Sequence, residues 1–137
     1  MTMNKSTIAV AGLLTGALVQ ADQLTGVDKF ICAAAQVQIC LEADSCYASS
    51  AWELDVPDFV VIDLKNKNVS TTKASGLNRS TPFSSFSRND GRIYLQGVEQ
   101  GRAFSFVIDE ATGRMTAAVA RDGVAVNVFG ACTATDI

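Results

Sequence analysis

From about residue 55 onward, turn signals recur every eight to twelve residues or so, the spacing of an all-β sandwich or barrel. Asn66-Lys67-Asn68 parts Phe59–Lys65 from Val69–Lys73, and Asn89-Asp90-Gly91 precedes Arg92–Gln96. Glu99-Gln100-Gly101 leads to Ala103–Asp109, Glu110-Ala111-Thr112-Gly113 to Arg114–Ala120, and Asp122-Gly123 to Val124–Phe129. Asp-Gly pairs and a glycine at the loop end supply the positive φ of tight hairpins. Between the turns the pattern has period two. Phe104, Phe106 and Ile108 share one face; Met115, Ala117 and Val119 share another, as do Val124, Val126 and Val128. One dry and one wet wall per strand is the signature of antiparallel sheet over a core.

The N-terminal third is less regular. Asp28–Leu41 has helix-friendly alanines and glutamines, but Val37, Ile39 and Leu41 alternate with Gln36, Gln38 and Cys40, which favours a strand. Phe59–Ile62 is apolar on both parities and reads as a strand covered on both sides, with Pro57 placed harmlessly before it. Ser70–Ser87 reads as a weak edge strand and a loop. The expected fold is a single all-β domain of about seven to nine antiparallel strands, an up-and-down barrel or else a β-sandwich.

Residues Met1–Ala21 form the pattern of a secretory signal peptide: Lys5, an apolar run from Ile8 to Val19, then Val19-Gln20-Ala21 before Asp22. The run is shorter than the roughly 20 residues a membrane-crossing helix needs. The mature domain is therefore expected to be 22–137, periplasmic or secreted, with no membrane span once the leader is gone. Four cysteines suit an oxidising compartment. They allow three connectivities; Cys40 and Cys46 flank a short hairpin loop, which would leave Cys32 to meet Cys132 and tie the first strand to the last.

The chain has 137 residues, a net charge of −3 and no histidine. The acidic balance argues against a nucleic-acid partner. Without histidine there is no Ser-His-Asp or Cys-His site, and the cysteine spacing lacks a zinc knuckle. No catalytic, cofactor or metal residue is assigned. Acid hydrolysis needs two carboxylates in one cleft, and the candidates are Asp55, Asp58, Asp63, Asp109 and Glu110. Asp63 shares parity with Phe59 and Val61, so it is expected to turn inward and pair with an arginine; Asp109 and Glu110 are expected to stabilise a hairpin end. The single tryptophan, Trp52, reads as a barrel-end plug. Asn68-Val69-Ser70 and Asn78-Arg79-Ser80 fit the N-glycosylation triplet.

Phe30-Ile31-Cys32, the Cys40/Cys46 pair, Pro57-Asp58-Phe59-Val60-Val61-Ile62-Asp63 and Val128-Phe129-Gly130-Ala131-Cys132 together resemble a group of small exported bacterial β-rich proteins of unknown function. That resemblance implies export and a β-rich domain, and carries no activity. Small bacterial barrels that inhibit lysozymes or proteases are similar in size and disulfide use.

Three functions follow as expectations. The first is a non-enzymatic binding module holding an apolar small molecule in a void lined by Phe104, Phe106, Ile108, Met115, Val124 and Val126. The second is an envelope inhibitor or interaction protein that grips an envelope protein through the 70–87 loop with Arg79 and Arg88. The third is the acid-residue hydrolase.

Overall fold

The computed structural model describes residues 11, 12 and 23–137. Apart from 11 and 12, the expected leader at 1–21 lies outside the described residues. The domain is all antiparallel sheet. Its strands are β1 (Lys29–Leu41), β2 (Cys46–Ser49), β3 (Phe59–Asp63), β4 (Asn68–Thr71), β5 (Ser80–Pro82), β6 (Ser85–Asn89), β7 (Arg92–Glu99), β8 (Arg102–Asp109), β9 (Arg114–Arg121) and β10 (Val124–Ala134).

Strand order is β5-β4-β3-β1-β10-β9-β8-β7-β6, with β2 paired to β1. The two ends of that path, β5 and β6, are consecutive in the chain, with only Phe83 and Ser84 between them. Phe83 N–H donates to the Lys67 carbonyl beside β4, and Ser84 N–H to the Gln96 carbonyl of β7. One sheet thus curls until its ends meet, a barrel-like form and not two stacked layers. Among the described residues ten strands are present where seven to nine were expected. The segment expected as a weak edge and loop supplies two short strands, β5 and β6, and β2 adds a further one.

β1 holds the sheet together. Its first half, Lys29–Ala33, pairs with β3 and its second half, Val37–Cys40, with β2, while its other edge runs against β10. The register shifts between Ala34 and Gln36. Because side-chain direction has period two, this bulge changes the inward set from Phe30 and Cys32 to Val37 and Ile39. Cys32 and Cys132 face each other in register and are joined across β1 and β10; Cys40 and Cys46 are joined across β1 and β2. The first bond is buried. The second lies at an exposed hairpin.

The core is closed at one end and open at the other. At the closed end, Leu24, Phe30, Ile62, Leu64, Ile93 and Ile108 are all but inaccessible. Residues 24–28 lie across this end: Leu24 N–H donates to the Glu110 carbonyl at 2.7 Å, Leu64 N–H to the Asp28 carbonyl at 2.8 Å. Arg88 donates to the carbonyls of Leu24 and Val27 and pairs with Asp28 and Glu110. Burying Leu24 and Ile108 contributes about 1.5–3 kcal/mol each. Among the described residues, no helix is long and apolar enough to cross a membrane.

Candidate functional site

The open end carries the β2–β3 connection, the loop between β4 and β5, and the β7–β8 and β9–β10 turns. Here the inward faces leave an apolar pit of about 80 Å³. Its walls include Val56, Val60, Val69, Phe104, Phe106 and Val119, with Thr81 below and Arg79, Glu99 and Arg102 around the rim. The void owes its shape to the β7–β8 pair. Gly97 faces Phe104, whose ring fills the space a side chain at 97 would take and packs edge-on to Phe106 at 5.9 Å. Of the six residues expected to line a void, Phe104 and Phe106 do so. Ile108 and Met115 are packed core, and Val124 and Val126 border a separate recess of only about 10 Å³.

The lip of the pit is the 3₁₀ turn Ala51–Leu54, which ends at Asp55 in the left-handed region (φ 58°). Three residues per turn puts Ala51 and Leu54 on one side and Trp52 on the other. Ala51 is buried and Trp52 is 70% exposed, so the tryptophan is not the expected plug. Two arginines clamp the lip by its carbonyls. Arg102 Nη1 donates to Leu54 O at 3.0 Å, and Arg79 Nη1 to Asp55 O at 2.8 Å. Cations at carbonyl-rich helix ends are favourable in charge as well as in hydrogen bonding.

Arg79 is engaged through all three of its nitrogens. Its Nη2 and Nε reach the two carboxylate oxygens of Glu99 at 3.1 and 3.4 Å, and Nη1 lies 3.7 Å from Asp55 Oδ1. Arg102 is not. Its Nη2 stops 3.9 Å from Glu99 Oε2, beyond hydrogen-bond range, and its Nε has no partner among the described residues. Such partly shielded pairs gain more from charge than surface ones, though solvent still screens them.

The carboxylates expected for hydrolysis are split between the two ends, with Asp55 and Asp58 both lining one concavity at the open end. Asp55 and Asp58 lie at the open end, whereas Asp63, Asp109 and Glu110 lie at the closed end. The partner that Asp55 has at the mouth is Glu99, through Arg79. Asp63 points outward, against expectation, since the inward parity of β3 belongs to Val60 and Ile62. It accepts hydrogen bonds from Asn66 N–H (2.9 Å) and Asn66 Nδ2 (2.8 Å), and among the described residues it pairs with no arginine. The Asn66 backbone donor, above all, holds its carboxyl below the ordinary range. Asp109 is lowered likewise, first by Thr112 N–H and then by the Thr112 hydroxyl, in the expected turn-stabilising role. Glu110 differs: its side chain is buried, with Arg88 Nε 4.0 Å away.

No known protein family, curated protein or solved structure matches the chain. The site therefore stands on its own geometry.

Arg79 and Arg88, expected in one contact loop, lie at opposite ends of the sheet: Arg79 on the pit rim, Arg88 under the 24–28 segment. Much of 70–87 is wall, leaving 72–79 as the loop. Of the glycosylation triplets, Asn68 exchanges hydrogen bonds with Ser80 Oγ at 2.7 and 2.9 Å, while Asn78 is exposed in a left-handed turn. Among the described residues, no group of three or more Cys, Asp or Glu side chains converges as a metal site would require.

Beyond the lip lies a second concavity of about 440 Å³ that shares Asp55, Val56 and Pro57 with the pit. Its apolar surface is Trp52, Phe59 and Leu77, each about half exposed or more. Phe59 was expected to be covered on both sides; Val61 is buried as expected, but Phe59 is 51% exposed. Glu99 and Arg102 flank a turn legible in the sequence, but no signal marked them or Leu77 as site residues, because the β4–β5 loop and the β7–β8 turn, far apart in the chain, bring them to one end.

Proposed function

We propose that the chain is an exported, non-enzymatic binding module that takes a small apolar group into the pit at the open end of its curled sheet. The pit carries this reading. It is apolar, it opens outward, and its charged rim can orient whatever enters. Size narrows the guest. An apolar cavity of about 150 Å³ holds benzene. At about 80 Å³ the pit suits a branched group of a few carbons and excludes a whole lipid chain. The two disulfides support residence in an oxidising compartment, periplasmic or extracellular.

Titration with 2-methylpropan-1-ol, followed through valine methyl NMR signals, tests the reading. Saturable shifts confined to Val60, Val69 and Val119 are expected. Unchanged signals at those three, or shifts spread evenly over Val37 and Val128 as well, would count against it.

A further inference from the structure

Resting on the binding-module reading above, we infer that the pit receives the C-terminal residue of a peptide: a branched aliphatic side chain inside, its free carboxylate on Arg102, and the preceding residues over Pro57 against Trp52, Phe59 and Leu77. Three observations converge on that occupant.

The volume fits a valine or leucine side chain and little more. The rim holds two cations, and they are engaged unequally: among the described residues Arg79 makes hydrogen bonds through all three nitrogens and Arg102 through Nη1 alone. Arg79 spends its fork on Glu99 and on the Asp55 carbonyl, whereas among the described residues Arg102 Nε has no partner and Nη2 stays outside bonding range of Glu99. An arginine whose side chain is only 13% exposed, next to an apolar pit, offers a guanidinium that matches an entering carboxylate in both charge and planar geometry. The like charge of Glu99 is countered, because both its oxygens accept from Arg79.

The third observation separates a peptide from a free branched acid. A single amino acid would end at the rim. The surface instead continues across Asp55–Pro57 into the second concavity, where Trp52 and Leu77 are 70% and 47% exposed and Thr72 lines the same wall. An extended chain advances about 3.3 Å per residue, so one or two residues before the last carry it over Pro57. Capture of a terminal carboxylate beside a side-chain pocket is a recurrent mode of peptide recognition.

The single tryptophan makes the test direct. Acetyl-Ala-Ala-Ala-Val as free acid, the same peptide as C-terminal amide, and acetyl-valine are titrated into the full chain while Trp52 emission is followed alongside the Val60 and Val119 methyl signals. The free acid is expected to shift Trp52 emission to the blue and to bind about tenfold or more tighter than the amide. Arg102→Gln is expected to erase that difference while amide binding persists; the acid–amide comparison on the unaltered protein stands even if the variant folds poorly. Equal affinity for acid and amide overturns the inference. So does acetyl-valine binding as tightly as the tetrapeptide with no change at Trp52, which would make the ligand a small carboxylic acid. If 2-methylpropan-1-ol still moves the pit methyls in those cases, the inference fails alone; if it does not, the binding-module reading fails with it.

Discussion

Gly97 on β7 faces Phe104 on β8, and the Phe104 ring occupies the place where a side chain at position 97 would begin. A Cβ there would lie 2.9 Å from Phe104 Cε1 and closer still to Cζ. The pit thus depends on an absent side chain. Gly97→Ala must push the ring aside, and the void beside it is the nearest free space. The substitution is expected to cost about 1–3 kcal/mol of stability, as overpacking does, and to weaken 2-methylpropan-1-ol binding. Urea denaturation and the methyl titration measure the two effects.

The disulfides differ in what they close. Cys32–Cys132 spans 100 residues and joins β1 to β10, while Cys40–Cys46 spans six within one hairpin. In the chain-entropy account the long loop is worth about 4–5 kcal/mol and the short one about 2 kcal/mol. The Cys32→Ala/Cys132→Ala pair is expected to lower urea-unfolding stability about twice as far as the Cys40→Ala/Cys46→Ala pair.

Asp63 and Asp109 set an acid limb. Hydrogen bonds from Asn66 and Thr112 favour their charged forms, so both carboxyls titrate lower in the folded chain than in the unfolded one. Their contribution is complete above the unfolded value of about 4 and fades as pH falls through the lowered folded values. The urea midpoint should decline from pH 4.5 toward pH 2 in the native sequence, and Asp63→Asn with Asp109→Asn should flatten that decline.

Leu24 and Trp52 should behave oppositely on truncation. Leu24 is wholly buried at the closed end, so Leu24→Ala is expected to cost about 2–5 kcal/mol and leave pit binding intact once folded. Trp52→Ala should stay within about 0.5 kcal/mol of the native stability, since the side chain stands in solvent. Thermal melts of the two variants check both statements.

Much of the fold was legible because β7 to β10 obey a strict period of two and are joined by short turns, which is local information. Strand parity failed where the strand's two faces are alike. Phe59 to Ile62 is apolar throughout, so parity could not say which set faces in, and Asp63 was turned the wrong way with it. Trp52 was misplaced because a single 3₁₀ turn inverts a strand-like expectation of what a large apolar residue does. The site was half visible. Phe104 and Phe106 follow from alternation, and Glu99 and Arg102 face each other across the β7–β8 hairpin, but Arg79 joins them only after the sheet curls, and no spacing in the chain encodes that meeting.

Xenon enters dry apolar voids and can be located directly. A crystal of the full domain under xenon pressure is expected to show the gas in the pit, bordered by Val60, Phe104 and Val119. Xenon found only on the outer face near Phe59, or a pit already filled by its own side chains, would contradict the claim that this end of the sheet is built to hold an apolar guest.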